Sequence, residues 1–198
     1  QARRRRLESS AACPHARIAA VIALGAAVGA FAAGAAHPAD AGDTAGTTIT
    51  GEAESRPETL ETVATQLLNE LRSQPRDCGA VSFDAAPPLR WDSALAAAAA
   101  AHSLWMQATD STRHEQDDGS TVADRAEDAG YRWEAIGENL AAGPTRLADA
   151  VTGWLDSPPH CENLMNPEFE EFAIARVSGT PRNRFATWWT LVLARPRP

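Results

Sequence analysis

From residue 57 onward the apolar positions change period several times, and each change marks an element. Leu60, Val63, Ala64, Leu67, Leu68 and Leu71 recur at steps of three and four, the spacing that gathers side chains on one helix face. Ser55 stands where an N-cap is needed for a helix beginning around Pro57-Glu58, and Pro75 with Cys78-Gly79 ends it. Pro87-Pro88 precede a second helix capped by Asp92, with Leu95, Ala98, Ala99, His102 and Met106 on one face. Its alanine run lets a neighbouring element approach closely. A short third helix follows Gly119-Ser120, uses Val122, Arg125 and Ala126, and stops at Gly130. Thr145 caps a fourth helix carrying Leu147, Ala150, Val151, Trp154 and Leu155. Pro158-Pro159 break it, and His160 to Met165 supply one more helical turn.

After Asn166-Pro167 the period falls to two. Phe172, Ile174 and Arg176 alternate with Ala173, Ala175 and Val177, and Phe185 to Leu193 is dense in Phe, Trp, Thr, Val and Leu. Two such runs around Ser178-Gly179-Thr180-Pro181 predict an antiparallel hairpin. Trp188, Thr190 and Val192 face one side of the second strand. Phe185, Thr187, Trp189, Leu191 and Leu193 face the other. A strand apolar on both faces is internal and covered on both sides. The expected fold class is therefore α+β, with helices packed on both faces of a small antiparallel sheet. No internal repeat is visible.

Composition changes the picture at the N-terminus. Arg3 to Arg6 and Arg17 precede Ile18 to Ala36, which carries no charge and is rich in Ala and Gly. A-x-A-like sites fall at Ala33, Ala35 and Ala36 and again at Ala39-Asp40-Ala41, so residues 1–36 are expected to be a signal peptide. The alternative is an uncleaved membrane anchor, since the uncharged stretch nearly reaches the ~20 residues that span a bilayer. Residues 37–56 hold almost no large apolar side chain and read as a flexible linker. The folded domain is expected over 57–198. Cleavage removes Cys13 and leaves Cys78 and Cys161, which in an exported chain favour one disulfide over two buried thiols. The chain carries 18 basic residues, all arginine, against 26 acidic ones, a formal net charge of −8. Such a chain is poorly suited to following a phosphate backbone, so no nucleic-acid partner is expected.

Candidate chemistry falls in three short pieces far apart. They are His114 after Thr112-Arg113, Glu138 in Gly137-Glu138-Asn139, and His160 after Ser157-Pro158-Pro159. Two imidazoles and a carboxylate can hold Zn²⁺ with a fourth position open to water. Their separations of 24 and 22 residues match no local metal motif, so a shared site depends on convergence in space. Each residue also has a plainer role. Glu138, in a turn, can accept backbone N–H bonds. His114 can be a solvated loop residue. Ser157, near His160, can simply end the fourth helix before the prolines. His102, on an apolar helix face, reads as a hydrogen-bonded core residue.

The blocks between these pieces carry a resemblance. They include Leu67 to Arg72, Leu89-Arg90-Trp91-Asp92, Ala101-His102-Ser103, Asp118-Gly119-Ser120-Thr121, Arg125, Ala129-Gly130-Tyr131 and Gly137-Glu138-Asn139-Leu140. Trp154-Leu155-Asp156-Ser157 and His160 to Pro167 complete the set. In this order they resemble the CAP superfamily of cysteine-rich secretory, venom-allergen and plant pathogenesis-related proteins, in its bacterial exported branch, over about residues 58 to 196. The resemblance implies an α-β-α sandwich with a cleft where His114, Glu138 and His160 converge. It also implies a departure: at the place of the family's second Glu, three residues after the helix-four tryptophan, stands Ser157, which takes the inward position and is expected to line the cleft with His114, Glu138 and His160. The two cysteines together suggest that a disulfide ties the end of the first helix to the His160 segment. The resemblance thus leads to the expectation of an exported monomer, with no required cofactor and zinc as an option. It binds a small apolar ligand such as a lipid, or a cell-envelope partner. A metal-dependent secreted hydrolase using the same cleft is the alternative.

Overall fold

Three long strands and one short one form the middle layer of residues 58–198, the part of the chain described by this computed structural model. The expected signal peptide, the linker and the Ser55 cap lie outside the described residues. The strands are β3 (Arg90–Trp91), β4 (Trp133–Ala142), β5 (Glu171–Ser178) and β6 (Thr187–Pro196), ordered β3-β5-β6-β4. The β5–β6 hairpin is antiparallel, as expected, and β4 also pairs with β6 antiparallel. The two-residue β3 pairs with β5 in parallel, so the sheet is antiparallel except at that edge.

The two faces of β5 and β6 separate as their alternation predicts. Phe172, Ile174, Trp189, Leu191 and Leu193 join one core with residues of α1 (Leu60–Arg72), α4 (Leu147–Leu155) and α5 (Pro158–Met165). Ala173, Ala175, Val192 and Ala194 join a second with Leu95 and Ala99 of α2 (Ser93–Thr109) and Ala126 of α3 (Val122–Asp128). The inward alanines of α2 let the helix lie close on alanines of the sheet. This is the α-β-α sandwich. A separate hairpin, β1 (Arg76–Cys78) with β2 (Val81–Phe83), sits against α5. Gly79 at its tip has φ of +66°, and a Cβ there would come within 2.9 Å of Pro158 Cγ. Cys78 and Cys161 form a disulfide between this hairpin and α5, with Cα atoms 5.4 Å apart and 83 residues in the closed loop.

Helix boundaries correct several expectations. α1 starts at Leu60 with Thr59 as its cap, because the Thr59 hydroxyl accepts the Thr62 N–H at 3.1 Å. α4 is capped at Arg146, one residue after Thr145, with no side-chain cap bond. Pro158 and Pro159 do not merely stop α4. They are the first two residues of α5, where a missing N–H leaves no helical bond unmade. Asp92 caps α2 as expected, accepting the Leu95 N–H at 2.9 Å. Arg72, at the end of α1, is fully buried and donates to the carbonyls of Pro87, Leu164, Asn166 and Phe169. It thereby ties the β2–β3 loop, the end of α5 and the α5–β5 loop to the helix.

β4 is an element that the sequence pattern does not predict. Gly137-Glu138-Asn139 lies in the middle of this ten-residue strand and is not a turn. Two consecutive polar residues hide the alternation in the sequence, because both point inward to partners supplied by other elements.

Candidate functional site

α3 begins with a capping box in which the Thr121 hydroxyl and the Asp124 carboxylate satisfy each other's backbone N–H groups. That short, rigid helix aims Arg125 at the sheet. Arg125 donates to the carbonyls of His114 (3.2 Å) and Ser120 (3.1 Å), and to Glu138 Oε2 at 2.7 Å. The other carboxylate oxygen of Glu138 accepts the His114 Nδ1–H at 2.8 Å. The Glu138 side chain is 2% exposed and that of His114 is 58% exposed. The imidazole is therefore the outer member of a buried ionic stack. With Nδ1–H committed to the carboxylate, Nε2 is the ring nitrogen left without a partner among the described residues.

His102 of α2 lies behind this stack. Its Nε2–H donates to the Arg113 carbonyl at 3.0 Å, and Nδ1 accepts from the Gln116 amide at 3.2 Å. One neutral tautomer satisfies both bonds. Burial pushes the His102 pKa down. Glu138, 3.9 Å away, opposes this but does not reverse it, so that contact is not an ion pair. His102 is the hydrogen-bonded core residue that its position on α2 predicts.

The opposite face of β4 holds the other half. Asn139 donates to the His160 carbonyl at 3.0 Å and accepts from Asn163 at 2.9 Å. A Cβ on Gly137 would lie 2.9 Å from Phe169, which explains the glycine beside the acid. On α5, His160 Nδ1 and Ser157 Oγ are hydrogen-bonded at 2.8 Å. Ser157 occupies the N-cap but makes no cap bond to backbone. Burial lowers the His160 pKa, and the charge of His114 adds to the effect.

Comparison with known proteins fits this architecture. A family model described as "CAP: Cysteine-rich secretory protein family" matches residues 65–193. The chain belongs to the CAP family. A curated relative, the uncharacterized protein YkwD of Bacillus subtilis (strain 168), is 28% identical over 90 residues, 46% of this chain. The chain spans about a third of that relative's length, 35%. Among solved structures, an extracellular SCP-domain protein from Bacillus anthracis matches with a TM-score of 0.51 and 24% identity, covering 71% of this chain and 45% of its own. An outer surface protein from Borrelia burgdorferi matches with a TM-score of 0.58 and 20% identity, covering 68% and 91%. At these identities the structural likenesses concern the fold.

Within this CAP domain the predicted residues assemble as two pairs. His114 touches Glu138, and His160 touches Ser157. Glu138 and Asn139 point to opposite faces of the β4 edge strand, because neighbouring residues of a strand point opposite ways. Glu138 goes to the α2–α3 layer and Asn139 to α5. The expected ligand set of His114, Glu138 and His160 around one ion is not what this geometry forms. Among the described residues, no three His, Cys, Asp or Glu side chains are placed to hold a metal. Glu138 has both oxygens engaged and serves His114 as an outer partner, the position a carboxylate takes behind a ligating imidazole. Two free Nε2 atoms remain, fewer than the three protein ligands of a catalytic zinc. No step is assigned to a metal.

Ser157 also departs from its expected place, since it begins α5 instead of ending α4. Three residues that hold the centre have no site role in the sequence pattern: Arg125, Gln116 and Asn139. Arg125 left a signal. It is an arginine on the same helix face as Val122 and Ala126, and an inward cation requires buried acceptors.

Proposed function

We propose that this CAP domain acts outside the cytoplasm as a non-enzymatic binder of an anionic amphiphile with an apolar chain. The observation that carries the proposal is a trough between α1 and α4. It consists of two depressions of about 380 and 390 Å³ that share Leu67, Glu70 and Ala148. Val63 and Leu147 line the first, and Leu71, Val151 and Leu155 the second. These volumes lie in the range of small-ligand sites. Arg146 lines the first depression and Arg76 the second. Among the described residues the Arg76 guanidinium has no hydrogen-bond partner, and its Nε–H is buried without an acceptor. A carboxylate or phosphate head group supplies what that guanidinium lacks.

Extracytoplasmic action is supported by the arginine-led apolar segment at residues 3–36 and by the Cys78–Cys161 bond. The extracellular neighbour from Bacillus anthracis and the outer surface neighbour from Borrelia burgdorferi support it too. The hydrolytic alternative is less well supported, because Glu138 is held by Arg125 and is not free as a base.

The test is a titration of the delipidated protein with a fluorescent fatty acid, and separately with anionic phospholipid vesicles. Saturable binding of the free acid is expected, weakened at least tenfold by Ala148→Trp and severalfold by Arg76→Ala. Absence of saturable binding to either, or wild-type affinity in both variants, would remove the proposal. Vesicle binding alone would point to an envelope lipid surface as the source of the same chemistry.

A further inference from the structure

The α1–α4 trough carries an arginine at each end, and the two helices fix how far apart those ends lie. Along one wall, Val63 stands in the first depression and Leu71 in the second. Along the other, Arg146 stands in the first and Leu155 in the second. The helices therefore flank the trough side by side and run the same way. From Val63 to Leu71 the α1 axis advances about 12 Å, and from Arg146 to Leu155 the α4 axis advances about 13.5 Å. Two separate helices thus give nearly one length.

Charge alternates along that length. At one end Arg146 caps α4 without a side-chain bond and forms no ion pair among the described residues. At the other end the Arg76 Nε–H is buried without an acceptor. Arg76 also borders a depression of about 270 Å³ on the β1–β2 hairpin, which Asp77 and Asp84 line. Neither acid pairs with Arg76, and Asp77 accepts the Ser82 hydroxyl at 2.6 Å. Glu70 is the acidic residue that both depressions share, so it stands at the middle. A carboxylate bound there would meet a like charge, whereas one at either end meets a guanidinium.

Resting on the binding reading above, we propose that the trough selects an apolar chain with a carboxylate at each end. One carboxylate accepts from Arg76, the chain lies over Leu67 and Ala148, and the second carboxylate meets Arg146. A fatty acid fills one end only and leaves the other cation facing a methyl group. Carbon–carbon bonds of about 1.5 Å at about 111° advance an extended chain by about 1.25 Å per bond. A span of about 12–14 Å then takes about ten or eleven bonds, which is the length of dodecanedioate. The sign of the effect is diagnostic. In a slot apolar at its far end, a second carboxylate weakens binding because its desolvation is not offset; opposite Arg146 it strengthens binding.

The test is calorimetric titration of the delipidated protein with dodecanoate, dodecanedioate and hexanedioate, the last having both heads on too short a chain. Dodecanedioate is expected to bind at least fivefold tighter than dodecanoate, and hexanedioate at least tenfold more weakly than dodecanedioate. Arg146 is exposed, so its variants keep the fold. Arg146→Ala is expected to bring the ratio of the two long acids to one or below. Arg146→Glu should reverse the order for 12-aminododecanoate, which binds the wild type more weakly than dodecanoate and the variant more tightly. Saturable dodecanoate binding with dodecanedioate no tighter overturns the proposal and leaves the binding reading standing. So does an unchanged ratio in Arg146→Ala, or hexanedioate binding as tightly as dodecanedioate. Absence of saturable binding by both long acids removes the binding reading itself, and the proposal with it.

Discussion

Arg125 Nη2 lies 2.7 Å from Glu138 Oε2, with both side chains more than nine-tenths buried. This pair joins α3 to the sheet and underlies the placement of His114. Removing one partner strands the other charge, which typically costs about 3–5 kcal/mol, whereas removing both costs much less. Arg125→Met is therefore expected to lower unfolding free energy by roughly that amount. Arg125→Met combined with Glu138→Gln should recover much of the loss. Urea denaturation of the four proteins tests this, and a purely additive cycle would count against the pair.

The sandwich was legible because its periods are clean. Leu60 to Leu71 step at helical spacing, and Phe172 to Val177 alternate with small residues, so each run shows its face. β4 was illegible for the same physical reason. Glu138 and Asn139 are polar yet both buried, satisfied by Arg125, His114, His160 and Asn163, none of which is near in sequence. The family resemblance marked His114, Glu138 and His160 as neighbours. It did not reveal that strand alternation sends Glu138 and the α5 contacts to different layers. Prolines misled at α5, where Pro158-Pro159 look like a stop and act as a start.

His102 and His160 both have pKa values lowered by burial. Their folded-state pKa lies below the unfolded value of about 6.5, so the unfolded chain binds more protons as pH falls. Stability is thus full above about pH 6.5 and declines below it, until the lowered folded-state values are passed. Each histidine contributes at most about 1.4 kcal/mol per pH unit. Chemical denaturation from pH 8 to 5 should show this decline, and His160→Gln should reduce its slope. A flat profile would contradict both burial arguments.

The Cys78–Cys161 bond closes 83 residues, for which chain entropy gives about 4–5 kcal/mol as an upper figure. Cys78→Ser/Cys161→Ser is expected to lose about 2–5 kcal/mol. Intact mass of the oxidised protein should show no free thiol at either position.

Arg72 has no acidic partner and four backbone acceptors. Arg72→Met keeps the apolar stem but leaves buried carbonyls without donors, at about 1–3 kcal/mol for each group left fully unsatisfied. A loss of at least about 3 kcal/mol is expected by thermal and urea unfolding. Arg72→Lys should rescue only part of it, because an ammonium cannot reproduce the spread of the guanidinium fork.

The edge strand β4 carries one further consequence. Glu138 is paired with Val192 and Asn139 with Leu191 in a continuous ladder from Ala135 to Ala142. Odd and even positions therefore belong to different layers of the protein. Inserting a single residue between the irregularity at Trp133–Ala135 and Gly137 would exchange them, sending the carboxylate toward α5 and the amide toward Arg125. An insertion of two would restore the assignment. Length changes in this strand are thus constrained by parity more than by size.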